Sequence, residues 1–211
     1  MGQSTEALGF MVLTAFIVSF GEATLAAFGI GNRINSLVLM PAMGIGNAMA
    51  TIVGQNLGAD QLKRTHQAVK TGILLVSILL VCGALILYPL IPTVVRFFSQ
   101  ENEISSQAIH YLKLITLALP LMGFFQVFIG TFQGSGHTIM AMVLMIGRLW
   151  ALRIPLIIVF KNYTEWGSSS VWYAMVLSNT IVCIAGYLLY LTDRWEKKVI
   201  DNKPAGKIAR G

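Results

Sequence analysis

Charge is what this chain of 211 residues has least of. Only 11% of its residues are Asp, Glu, Lys or Arg, against about 25% in an ordinary soluble domain, so a fully water-facing surface is excluded. Intrinsic disorder is excluded too, because a disordered chain is poor in apolar residues and this one is 55% hydrophobic. Acids are the scarcer sign: nine Asp and Glu stand against 15 Lys and Arg, a formal net charge of +6. Cysteine is confined to Cys82 and Cys183, both inside long apolar runs, which argues for buried small hydrophobes and against a disulfide framework or a zinc site. Of the three histidines, His66 and His110 fall near the ends of apolar runs, and His137 stands two residues from Ser135 in a turn. A serine nucleophile needs its base held in reach on a second rigid element, so no catalytic residues, no metal ligands and no cofactor are expected.

What the chain has in quantity is length of apolar sequence, with a mean hydropathy of +0.71. A helix crossing a bilayer needs about 20 predominantly apolar residues. The stretches between charges predict six such spans, at about 7–30, 34–56, 71–95, 114–136, 139–160 and 168–192. The fold class is therefore an all-α integral membrane protein: a six-helix transmembrane lobe over residues 1–193, followed by a basic tail over 194–211. Turn-forming residues between spans are expected at "GIGN" (29–32), "GQNLGADQLKR" (54–64), "SQENEISSQ" (99–107), "GSGHT" (134–138) and "KNYTEWGSSS" (161–170).

Six spans put both ends on one side, and the Lys/Arg bias of short loops says which. The side of the termini carries Lys63, Arg64, Lys70, Arg194, Lys197, Lys198, Lys203, Lys207 and Arg210; the other carries Arg33, Arg96, Lys113 and Lys161. Both termini are expected in the cytoplasm, with the chain in the plasma (inner) membrane. The basic excess is thus a topology signal and an attraction to lipid. It has no aromatic interleaving, so no nucleic-acid partner is expected.

One segment carries a family signature. "PAMGIGNAMATIVGQNLGA" at 41–59, followed by the charged "DQLKRTHQAVKTG", resembles the second helix and following cytoplasmic loop of a lobe in the multidrug and toxic compound extrusion (MATE) family. Pro41, Gly44, Gly46, Ala48, Val53, Gly54, Gln55, Asn56, Gly58 and Ala59 fill that pattern. Upstream, "SFGEATLAAFGIGNRI" at 19–34 is similar to the end of the family's preceding helix; "GTFQGSGHT" at 130–138 and "RLWALRIPL" at 148–156 resemble its fourth-to-fifth-helix region. The resemblance implies a transporter of two duplicated six-helix lobes with the drug path between them, of which this chain is one half (C-terminal, by its basic tail). It implies export of lipophilic or cationic compounds in exchange for H⁺ or Na⁺ by alternating access, with an N-terminal lobe or a second copy as partner. The alternatives are a non-transporting membrane scaffold and an inactive truncated transporter fragment.

Individual residues follow from both lines of argument. Gly44, Gly46, Gly54 and Gly58 remove bulk so that helices in lipid can approach closely. Gln55 and Asn56 either satisfy the last carbonyls of their helix or organise a gate. Pro41, Pro120 and Pro155 lie within spans, as path-lining hinges or tolerated kinks, while Pro89 and Pro92 mark a helix stop. Arg148 falls about ten residues into the fifth span, roughly 15 Å deep in a ~30 Å core. Insertion there costs about 2.5–3.5 kcal/mol, so it is expected to face the bundle or water. Arg153 is about 140° further round an α-helix and is expected to snorkel outward. Gln126 and Gln133 are seven apart on the fourth helix, on one face toward a substrate or another helix, and Met122 is a candidate for an adaptable cavity wall. Some MATE members carry acids in the first and fourth helices of the second lobe; here Glu6 and Glu22 flank the first span as coupling-ion candidates, and the fourth has none.

Overall fold

The computed structural model describes residues 2–196, with side chains from residue 7 onward. The Glu6 side chain and the basic tail beyond residue 196 lie outside the described residues. The described residues make six helical passes: α1 (Gly2–Val18), α2 (Glu22–Gly58), α3 (Leu62–Phe98), α4 (Asn102–Gly134), a composite fifth pass and α7 (Ser169–Tyr190). The fifth consists of α5 (Thr138–Ile146), a π-helical turn (Gly147–Arg153) and α6 (Ile154–Tyr163). Five passes are long and apolar enough to cross a membrane; α1 contributes the shorter apolar stretch Ala7–Val18. Large side chains such as Leu85, Phe97 and Leu188 stand exposed on the outside of the bundle, which is the expected finish of a surface solvated by lipid.

The helices begin earlier than the charge-free runs. At ~1.5 Å per residue a 37-residue helix such as α3 reaches about 55 Å, well beyond a ~30 Å hydrocarbon core. Its first turns, with Lys63, Arg64 and Lys70, therefore project into the interface, where charge costs little. Three expectations are corrected. The "GIGN" turn does not exist: residues 29–32 are helical inside α2, and the break falls at 19–21, where Gly21 has φ 112°. Gly31 instead sits under the Tyr111 ring, where a side chain would collide, so its lack of a Cβ serves packing. Pro89 and Pro92 do not stop α3, which runs on to Phe98. Cys82 is exposed rather than buried, unlike Cys183.

α4 is the central helix, packed by α2, α3 and α7. Its seam with α2 is built from small residues in register. A Cβ on Gly46 would lie 2.8 Å from the Gln126 carbonyl oxygen, and one on Gly54 3.1 Å from that of Gly134. In return, a Cβ on Gly130 would strike the Gly46 carbonyl, and one on Gly134 that of Ala50. Gly46, Ala50 and Gly54 thus interlock with Gly130 and Gly134, the small-xxx-small spacing that lets helices touch backbone to backbone where lipid supplies no hydrophobic drive. Gly44 and Gly58 have nothing within 4 Å of an added Cβ; of the four glycines expected to pack, these two face outward.

The far end of the bundle is closed by a cluster the sequence reading did not foresee. A 3₁₀ turn at Arg194–Glu196 folds back so that Trp195 is fully buried and donates from Nε1 to the Tyr190 carbonyl at 2.9 Å. The Trp195 ring stacks on Tyr190 with centroids 5.2 Å apart. His66 on α3 spans the cluster, Nε2 lying 2.6 Å from Glu196 Oε1 and Nδ1 3.2 Å from the Tyr190 hydroxyl. His66→Ala is expected to loosen this turn by about 1 kcal/mol, the worth of an ordinary net hydrogen bond. Amide exchange at 194–196 should then accelerate several-fold while that of α4 stays unchanged; equal rates in both proteins would refute the role.

Candidate functional site

Between α1, α2, α4, the π turn and α7 lies a cavity of about 260 Å³. Its position follows from the small-residue seam. α2 and α4 touch backbone to backbone at Gly46, Gly130 and Gly134, and toward the other end of the pair Phe28, Asn35, Tyr111 and Phe125 line the space. Three of the expected site residues, Met122, Gln126 and Arg148, line it together. Gln133 does not: it is exposed at the last turn of α4. Glu22 is exposed at the first turn of α2 and does not line the cavity.

The residue that sequence reasoning misplaced is Arg153. It does not snorkel outward; it is 5% exposed and lines the cavity beside Arg148. The cause is the π turn. With i→i+5 hydrogen bonding, residues five apart come nearly over one another, whereas α-helical winding would set them about 140° apart. Pro155 helps to interrupt the α ladder, since it has no N–H to offer the carbonyl four residues back. The available signal was that proline beside two arginines five apart in one span.

Polar partners fix the guanidinium. Arg153 Nε donates to Ser178 Oγ at 3.2 Å and Nη2 to Asn179 Oδ1 at 2.7 Å, both on α7. Arg148 lies over the Phe125 ring, Cζ to centroid 5.1 Å, a cation–π contact. Asn35, also on the wall, is buried, and its Oδ1 has no hydrogen-bond partner among the described residues. The rest of the wall is aromatic and methionine-rich, with Phe10, Phe28, Met43 and Met145.

The remaining motif residues fall elsewhere. Asn56 Nδ2 donates to the Ile52 carbonyl at 2.8 Å, serving the last turn of α2, and Gln55 is exposed. Pro41, Gly44, Ala48, Thr51, Gln55 and Gly58 are all exposed, spaced by three and four, so they form one outward stripe. The motif therefore faces two ways, Gly46 and Gly54 toward α4 and the stripe away from it. Ser135 Oγ lies 3.2 Å from His137 Nδ1, but within one turn, and the hydroxyl also donates to the Phe132 carbonyl at 3.1 Å. Among the described residues no three His, Cys, Asp or Glu side chains converge as a metal site.

This arrangement has relatives. The MatE family model matches residues 1–159. The probable multidrug resistance protein YoeA of Bacillus subtilis is 28% identical over 193 residues, covering 90% of this chain and 41% of that protein. The probable multidrug resistance protein NorM of Thermotoga maritima is 24% identical over 199 residues, covering 91% and 41%. A solved multidrug resistance MATE family transporter of the MOP superfamily, in its outward-facing conformation, superposes with a TM-score of 0.84 at 23% identity, covering 90% of this chain and 43% of that one. The chain thus spans about two fifths of these relatives, the length of one six-helix lobe. With its helices, its seam and its motif in place, this multi-pass membrane chain belongs to the MatE family.

Proposed function

We propose that the chain is one lobe of a multidrug exporter, moving lipophilic organic molecules across the plasma membrane in exchange for H⁺ or Na⁺. The observation that carries this reading is the cavity. A water-accessible, mostly apolar space with a few convergent polar groups, set between helices, is where small-molecule sites form. The outward stripe on α2 supports the second half of the proposal. Its small and weakly polar side chains differ from the large apolar ones that face lipid, and they allow another helix to approach closely. The stripe is the face for a second lobe, either the N-terminal half or another copy, against which this lobe rocks in alternating access. The basic residues of the tail support reading this half as the C-terminal one, with its ends in the cytoplasm. Chemistry in the enzymatic sense has no part in it.

Coupling falls to Glu6 in this reading. Of the two acids flanking the first span, Glu22 sits exposed at a bundle end, whereas Glu6 belongs to α1, whose Phe10 lines the cavity one turn on. The test is flux in proteoliposomes under an imposed H⁺ or Na⁺ gradient, using ethidium and fluorescein, with the chain alone and with a co-expressed N-terminal lobe. Gradient-driven movement of either dye is expected once two lobes are present, and Glu6→Gln should abolish its dependence on the gradient. Absence of flux in every arm would leave the scaffold or inactive-fragment alternative.

A further inference from the structure

We propose that the crevice between α3 and α4 holds an anionic phospholipid of the surrounding bilayer, its acyl chain in an apolar groove and its phosphate against Arg96 and Lys113. The site lies on a face of the lobe away from the cavity and stands whether or not the lobe transports. Its first ground is shape. Two pockets follow one another along the α3–α4 pair, whose connecting loop closes the bundle end opposite the chain termini. The deeper one, about 330 Å³, lies among Val81, Leu85, Tyr88, Pro89, Leu117 and Pro120. The other, about 560 Å³, lies nearer the loop, among Arg96, Gln100, Asn102, Ser106 and Ile109. Val81, Leu85, Pro89 and Arg96 are spaced by four, four and seven on α3, and Ile109, Lys113, Leu117 and Pro120 by four, four and three on α4. Each series keeps to one helix face, so the two pockets lie along one crevice.

The second ground is the change of polarity along it. The deeper groove is walled mainly by hydrocarbon, and Leu85 and Leu117 on its rim stand exposed on the outside of the bundle. Arg96 is exposed at the other end, and Lys113, also exposed, stands one turn of α4 above Leu117. Neither cation has an ion pair among the described residues. Glu101 and Glu103, the acids beside the loop, line neither pocket, and Glu103 accepts from Gln107 Nε2 at 3.4 Å. Lys161, at the same bundle end, is by contrast taken up by Ser19 Oγ and the Phe20 ring. Two cations without a counter-charge above an apolar groove complement a phosphate above an acyl chain. A lysine can raise its ammonium toward the headgroups while its stem stays on apolar surface, and the exposed Tyr88 at the groove mouth has the amphipathic ring of an interfacial residue.

The third ground is length. From Val81 to Arg96 α3 rises about 22 Å at ~1.5 Å per residue, half of a bilayer that is ~40–45 Å thick with its headgroups. The crevice is as long as one leaflet, and a phospholipid standing in that leaflet fills it from end to end. A soluble phosphate would leave the groove empty, and an uncharged lipid would leave the cations unmatched.

The experiment is fluorescence quenching in vesicles. The full chain carries a bimane on Leu117→Cys, at the groove rim, with Cys82→Ala removing the exposed native thiol. It is placed in phosphatidylcholine vesicles containing rising shares of brominated phosphatidylglycerol or of brominated phosphatidylcholine. Half-maximal quenching is expected at about a tenfold smaller share of the phosphatidylglycerol. Arg96→Gln combined with Lys113→Gln, both on exposed side chains, should bring the two curves together without moving the melting temperature. Ala84→Phe, which fills the groove, should do the same with both cations in place. Lys63→Gln combined with Arg64→Gln, at the opposite bundle end, should change nothing. The proposal is overturned by equal curves in the parent, by a preference that survives either change in the crevice, or by one that the Lys63 and Arg64 changes remove. Quenching by neither lipid, as a protein partner over the crevice would produce, overturns it as well.

Discussion

Gly130→Leu is expected to leave no folded lobe. A Cβ at this position falls on the Gly46 carbonyl oxygen and 3.1 Å from the Met49 Cβ, and backbone in the middle of a helix cannot turn aside as a flexible side chain can. Overpacking in ordinary cores costs about 1–3 kcal/mol because neighbours shift; here α2 and α4 must separate along their length, so the cost should exceed about 3 kcal/mol. Size exclusion of the detergent-extracted protein should show aggregate in place of the monodisperse peak. Gly44→Ala is the control on the same family motif. Nothing lies within 4 Å of a Cβ there, so the variant should fold as well as the parent or gain up to about 1 kcal/mol from helix propensity. Equal behaviour of the two variants would refute the division of the motif into an inward and an outward face.

Asn179→Leu is expected to cost about 2–3 kcal/mol, the upper range for a buried hydrogen bond to a charged group. It removes the 2.7 Å acceptor of a guanidinium that is 5% exposed. The substitution is close in size, so lost packing is small and the deficit reads the lost acceptor. Thermal melting in detergent measures it; a change within about 0.5 kcal/mol, the usual span of surface substitutions, would show that Ser178 and the remaining surroundings suffice. Asn179→Asp, in contrast, keeps an acceptor in place and should melt with the parent.

The class of molecule was legible from charge scarcity alone, and the apolar runs marked the helices from α3 onward, whereas the boundary between the first two was set about ten residues too late. What composition could not show was where helices begin in water, because Lys63, Arg64 and Glu103 are as welcome in an interfacial helix as in a loop. Glycine was the ambiguous letter. In "GIGN" it was read as a turn, but Gly31 makes room for Tyr111, whereas the true break uses Gly21 at positive φ. Both functions look alike in one sequence, since each needs only the absence of a Cβ. Within the site, Arg148 was legible by depth. Arg153 was not, because its direction depends on a winding number, and periodicity arguments assume 3.6 residues per turn throughout.

That winding has a consequence for how this protein can change. A turn closed by i→i+5 bonds holds one residue more than the α-helical turn it replaces. Deleting a single codon within residues 149–152 would let the fifth pass close as an uninterrupted α-helix, with the helix on either side keeping its facing and the two arginines left four apart, about 40° from one another. Winding the same residues as α without a deletion would instead swing Arg153 about 140° away from Arg148. The placement of the two cations is thus set by spacing and winding together, and a comparison of homologues column by column would pass over the change as a gap.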